Sequence, residues 1–292
     1  MKTILEIKNI TKQYRGEIIL KDISFSLYAH QVVALVGKNG SGKSTLLKII
    51  GDLVNPDSGT IIKHIQPFTI GYVPEVTPST ILFTPEEYLS HMGSIRGMAK
   101  NQLQSRIDYL LDIFNLQDSR KTRISDFSKG MKQKVMIMQA LLEETDLLIL
   151  DEPLSGLDPK AQSDLEATLM ILKDKGLSII LTCHETKLLE NIVDKILFIN
   201  NHQVNQISLL SDTIQQRNKL TFEISIQVSL EDLRPYFEIV QTSQLNQEVN
   251  AVKVLIKQED TDKILLELLH KNASIKQLQP INHTKEDFYN QF

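Results

Sequence analysis

The chain carries 292 residues, 41% hydrophobic and 23% charged, an ordinary globular composition with apolar material for one large domain or a medium and a small one. A formal net charge of −4, with no block of lysines and arginines, lacks the electrostatic footprint of a nucleic-acid binder. Cys183, the single cysteine, excludes an internal disulfide framework and suits a reducing cytoplasm, and no run reaches the roughly 18 apolar residues of a membrane-spanning helix. Residues 3–10 alternate as a strand, with charges inside the apolar pattern, so the N-terminus does not read as a signal peptide. Residues 23–27 alternate again, and the turn between them carries one aromatic residue, Tyr14, which on its own reads as a surface tyrosine at a strand end.

A short apolar run at 31–36 precedes Gly37, Lys38, Asn39, Gly40, Ser41, Gly42, Lys43, Ser44 and Thr45, and Leu46, Leu47, Ile49 and Ile50 then follow at helical spacing. Strand, glycine-rich loop and helix is the setting of a phosphate-binding loop, and Gly37, Gly42, Lys43 and Ser44 satisfy G-x-x-x-x-G-K-[ST] at every position. Glycines let successive backbone N–H groups point inward, and the positive end of the following helix adds to their pull on phosphate oxygens. Lys43 supplies a point charge for the β- and γ-phosphates, and the Ser44 hydroxyl a ligand for Mg²⁺. A full match in that context favours a nucleoside triphosphate site over a plain glycine turn.

Turn signals fill residues 52–60, and a short strand at 69–74 is broken by Pro74 and ends at Glu75. From about 76 to 125 the pattern turns helical. Pro85, Glu86 and Glu87 suit a first helical turn, and Leu103, Ile107, Leu110, Leu111 and Phe114 share one helical face. Residues 126–130 lead into a helix over 131–143, with Ser128 either its N-cap or part of a second anion-binding end. An apolar strand at 146–150 then ends in Asp151 and Glu152. Two adjacent acids at the end of a buried strand need a partner, and a metal–nucleotide site supplies one. Residues 155–158 form a turn before a helix over about 160–173, Gly176 ends that helix, and 177–182 form another buried strand. His184 lies just past it, on the sheet edge where ligands of parallel sheets collect. Residues 196–204 suggest a closing hairpin.

After about residue 215 the character changes. A strand over 220–228, a short helix over 230–237, strands near 238–241 and 252–256, a helix over 261–270 and a strand at 275–278 give the order βαββαβ of a small ferredoxin-like domain. Residues 284–292 read as a terminal helix anchored by Phe288 and Tyr289.

Over roughly residues 2–215 the ordered set resembles the ATP-binding subunit of an ABC transporter. Residues 37–45 match its Walker A loop, 147–151 with Glu152 its Walker B strand and catalytic glutamate, and 155–158 its D-loop, ending at Asp158. His184 is similar to the switch histidine, and Tyr14 to the aromatic residue that stacks on adenine. Ser128, Lys129, Gly130 and Met131 resemble the signature LSGGQ but depart from it, Lys129 and Met131 replacing a glycine and the glutamine; such a variant occurs in ABC-2 type exporters. Glu75 departs too, standing where the family usually has a glutamine.

The resemblance implies a P-loop α/β fold of the ABC ATPase type, with an antiparallel β subdomain and a helical subdomain at about 76–145. The domains expected are a cassette at 1–215 and a small α+β ferredoxin-like domain at 216–292. It also implies ATP and Mg²⁺ as cofactors, Mg²⁺ being held by Ser44 and Asp151, with Glu75 able to ligate it. Two cassettes would meet head to tail, as a homodimer or heterodimer, with Ser128 and the N–H groups near Gly130 clamping the γ-phosphate in trans. Glu152 would polarise water, and His184 would hold the γ-phosphate and that water in line. The implied function is an ATPase powering export of a drug, an antimicrobial peptide or similar cargo. It would sit on the cytoplasmic face of the membrane through a separate permease, contacted by residues 76–105, and would bind no nucleic acid. An importer ATPase with a ligand-sensing tail and a soluble, non-transport ABC ATPase are the competing classes.

Overall fold

Five consecutive apolar residues with no alternation specify a strand buried on both faces, and the computed structural model forms such a strand at the centre of its main sheet. The structure describes residues 2–78, 80–183, 185–208, 217–246 and 248–281. These fall into two compact units, the first running to Leu209 and the second from Leu210.

In the first unit the chain opens with β1 (Thr3–Tyr14), β2 (Glu17–Tyr28) and β3 (Val32–Val36), then α1 (Lys43–Ile50), β4 (Ser58–Lys63) and β5 (Ile70–Val73). Three helices follow, α2 (Pro85–Ile95), α3 (Lys100–Ile113) and α4 (Lys129–Ala140), before β6 (Leu147–Leu150), α5 (Pro159–Asp174) and β7 (Ser178–Thr182). Next are α6 (Thr186–Asn191), β8 (Lys195–Asn200) and β9 (Gln203–Ser208). The main sheet has the order β5-β6-β7-β3-β8-β9, parallel except for the terminal β8–β9 hairpin. A separate antiparallel sheet, β2-β1-β4, packs over α1 through Ile4, Ile7, Leu20 and Leu27 against Leu46, Leu47 and Ile50, in one buried cluster. Thr84 opens α2 with a reciprocal capping box: its hydroxyl accepts from the Glu87 amide at 3.3 Å, and the Glu87 carboxylate accepts from the Thr84 amide at 2.9 Å. The expected helix over 131–143 starts earlier and stops earlier, because Ser128 caps it one turn before Met131.

The second unit contains β10 (Arg217–Ser225), β11 (Phe237–Gln244), β12 (Val249–Lys257), α7 (Thr261–His270) and β13 (Ser274–Ile281). Its antiparallel sheet, ordered β11-β12-β10-β13, has the strand order of a ferredoxin-like fold. One face buries Leu220, Phe222, Val252, Val254 and Ile256 against Ile264 and Leu268 of α7. The first helix of the expected βαββαβ order is not α-helical. A 3₁₀ segment, Glu231–Tyr236, takes its place, since Pro235 removes a helical N–H and its ring crowds the preceding turn. The terminal helix expected over 284–292 lies outside the described residues.

Candidate nucleotide site

The loop between β3 and α1 is shaped by glycines that no other residue could replace without cost. At Gly37 (φ 154°) an added Cβ would lie 2.6 Å from the Ile199 carbonyl oxygen of β8, and at Gly42 (φ 101°) one would lie 2.9 Å from the Leu20 side chain of β2. The loop therefore curls tightly against both sheets. Lys43 is 5% exposed, and its ammonium donates to the carbonyls of Gly37 at 2.8 Å and Lys38 at 3.3 Å. Burial pushes its pKa down, while the carboxylates of Glu152, Asp151 and Glu75 push it up. The Ser41 hydroxyl oxygen is buried in the loop without a hydrogen-bond partner.

Opposite the loop, β6 delivers the acids. Asp151 is 4% exposed, and its Oδ1 accepts from Ser44 Oγ at 3.1 Å and from Thr182 Oγ1 at 2.9 Å. Glu152 adopts a left-handed backbone (φ 46°), a conformation that costs a non-glycine residue about 1–2 kcal/mol, and its amide donates to Thr182 Oγ1 at 2.6 Å. The chain can then turn sharply out of the strand, leaving the Glu152 side chain half-buried. Glu75 is exposed just past β5 and acts electrostatically on Lys43. Within β5, burial and the Asp151 charge raise the Tyr72 pKa to about 12, and its buried hydroxyl makes no hydrogen bond.

Tyr14 ends β1 with its ring exposed and the Lys12 ammonium 5.4 Å from its centroid. Its strand partner is Glu17, two residues from Ile19, whose side chain sits 3.0 Å from the Cβ position at Gly42. The β1–β2 hairpin thus joins Tyr14 to β2, the strand that packs on the loop. Ser128, Lys129, Gly130 and Met131 open α4, where Ser128 Oγ accepts from the Met131 amide at 3.3 Å, so the N-cap reading holds. These residues lie against the segment leading into α5: an added Cβ on Gly130 would be 2.7 Å from Ala161 Cβ, and one on Gly156 would be 2.5 Å from Lys129 Nζ. Asp158 caps α5, its Oδ1 accepting from the Ala161 amide at 2.9 Å. His184 lies outside the described residues.

A model of the ABC transporter family matches residues 20–155, from β2 to the turn after Glu152. The linearmycin resistance ATP-binding protein LnrL of Bacillus subtilis is 33% identical over 220 residues, covering 72% of this chain and 70% of that protein. The chain belongs to the ABC transporter ATP-binding family. An uncharacterized ABC transporter ATP-binding protein of the same organism, YxlF, is 29% identical over 98% of both chains, second unit included. The Nod factor export ATP-binding protein I of Rhizobium johnstonii is 32% identical over 66% of this chain and 65% of that protein. A solved ATP-binding subunit of an ABC transporter superposes with a TM-score of 0.62 at 34% identity, over 71% of this chain and 90% of that one. As an ABC ATP-binding subunit the chain binds ATP, and ATP hydrolysis is the reaction of its family.

The oxygens at the site suit Mg²⁺. Ser44 Oγ and Asp151 Oδ1 are both hard donors, and they stand 3.1 Å apart beside the phosphate-binding loop. One contributor was missed by the sequence reading. Thr182, fully buried at the end of β7, touches both acids. The signal for it was a hydroxyl at the last position of an apolar strand that runs beside the strand carrying the acid pair.

Proposed function

We propose that this subunit hydrolyses ATP to drive export through a separate membrane permease. The observation that carries the reading is the convergence of Lys43 and Ser44, from the phosphate-binding loop, with Asp151 and Glu152, from the end of β6. Residues 37–45 would wrap the phosphates, with Lys43 turning from its two carbonyl partners to the β- and γ-phosphate oxygens, and Tyr14 would stack on the adenine. Mg²⁺ would be held by Ser44 and Asp151, with the Glu75 carboxylate a further oxygen able to ligate it, and would spread the charge on the phosphoryl oxygens. Glu152 would take a proton from a water whose oxygen bonds to the γ-phosphorus as the bond to the β–γ bridging oxygen breaks. His184 would hold that water and the γ-phosphate in line, a role resting on its sequence position.

The site would be completed by a second ATP-binding subunit, a copy of this chain or a related one, whose Ser128, Lys129, Gly130 and Met131 would approach the γ-phosphate while Asp158 orders the turn beside them. Among the described residues no helix is long and apolar enough to cross a membrane, which suits peripheral attachment to a permease at the cytoplasmic face. The surface proposed to meet that permease lies near Glu75, where Val76 and Leu82 are 78% and 65% exposed and the Phe83 ring meets the His91 ring in a tilted contact at 4.9 Å. Export is favoured over import by the names of two relatives, a Nod factor export protein and a linearmycin resistance protein. Purification of the tagged chain from membranes tests the partner: a polytopic membrane protein should travel with it, and its ATPase rate should change when that protein is present. A chain recovered alone, with hydrolysis indifferent to membranes, contradicts the reading.

A further inference from the structure

The geometry assigns to Thr182 the task of positioning both acids of the site. The parallel register pairs Leu150 with Leu181, so Thr182 stands level with Asp151, one strand over. Its hydroxyl oxygen lies 2.6 Å from the Glu152 amide nitrogen and 2.9 Å from Asp151 Oδ1, and the residue is 0% exposed. The direction of both bonds is fixed by elementary chemistry. An amide N–H can only donate, so Thr182 Oγ1 accepts from Glu152; a hydroxyl has one proton, so that proton goes to the Asp151 carboxylate. One side chain thereby holds the left-handed backbone of Glu152 and the rotation of the Asp151 carboxylate together.

The other hydroxyl on Asp151 Oδ1 belongs to Ser44, which sits on the loop and is a candidate metal donor. Thr182 is anchored instead in the centre of the sheet, within a strand buried at every residue. It is therefore a side-chain support of Asp151 that does not depend on the state of the loop. β-Branching suits it to the strand, and its γ-methyl group faces a packed interior while the hydroxyl serves the acids. This inference rests on the ATPase reading, and Thr182 acts through Asp151 and Glu152 without itself being placed against the nucleotide.

Thr182→Val keeps the shape and removes the hydroxyl; Thr182→Ser keeps the hydroxyl and removes the methyl group. In the full chain, loss of an orienting partner behind a reactive carboxylate predicts a fall in kcat of about 10–100-fold for Thr182→Val, with KM for ATP within about threefold and near-complete rescue by Thr182→Ser. A thermal-shift titration supplies a readout independent of turnover: the Mg²⁺ concentration giving half-maximal stabilisation of the ATP-bound chain should rise about 10–100-fold in Thr182→Val and stay near wild type in Thr182→Ser. Should Thr182→Val not fold, Thr182→Ala, which also removes the hydroxyl, replaces it in both measurements with the same direction expected. Wild-type turnover and Mg²⁺ dependence in the hydroxyl-free variant overturn the assignment. So does a Thr182→Ser variant as impaired as Thr182→Val, which would reduce Thr182 to packing. If the wild-type chain hydrolyses no ATP, the functional reading fails, and the Mg²⁺ titration still decides the role of Thr182.

Discussion

Lys43 is a buried cation whose ammonium is held by two carbonyl oxygens of its own loop, an arrangement that favours exchange for phosphate. Burial lowers its pKa in the folded chain. The unfolded chain therefore holds more protons than the folded one in the window below the ordinary lysine value of about 10.4, and stability contributed by this site rises with pH across that window. Lys43→Met removes the term, so the difference in unfolding free energy, wild type minus variant, should increase as pH climbs towards that value. The same variant should lose the thermal stabilisation that ATP gives the wild type at neutral pH; retention of that shift would remove Lys43 from the phosphate site. Lys43, Ser44, Asp151 and Glu152 were legible in the sequence because loop chemistry and strand ends carry their own local signals. Thr182 was not. Its role comes from lying level with Asp151 across a parallel pair, and the two residues are brought together by the intervening α5 crossover, which no local pattern encodes.

At the scale of elements, the loop before α1 separates two kinds of glycine. Gly37 has a positive φ and a neighbouring strand in the way, with the Ile199 carbonyl 2.6 Å from an added Cβ; Gly40 has φ 80° and nothing within 4 Å. Gly40→Ala should cost about 1 kcal/mol from backbone strain alone, whereas Gly37→Ala should cost more, because a backbone atom of β8 must also move. Chemical denaturation of both variants checks the ordering, and equal losses would mean that the approach of β8 does not constrain the loop. The buried strands β3 and β6 were legible as unbroken apolar runs, and β7 by its apolar centre Ile179, Ile180 and Leu181, since a strand covered on both faces needs no alternation. The 3₁₀ segment Glu231–Tyr236 was misread as a helix. Its apolar spacing fitted a helical turn, but Pro235 within six residues leaves too few hydrogen bonds to propagate one. Ser128 as the cap of α4 is a local signal that sets the element start, two residues before the Met131 expected from the sequence.

The whole molecule combines an ABC cassette with a second unit of ferredoxin-like strand order, each with its own buried core. In the cassette, residues 128–131 lie beside Gly156 and Ala161, so the opening of α4 and the approach to α5 present one continuous surface. That surface on a second subunit would complete the site of which the loop at 37–45 is half. Glu152→Gln removes the base while leaving the loop and the backbone bond to Thr182 in place, so ATP should bind and persist. Light scattering of this variant behind a sizing column, with and without ATP and Mg²⁺, reads that pairing. A dimer with nucleotide and a monomer without it are expected; a variant that binds ATP and stays monomeric at every concentration would contradict the shared site.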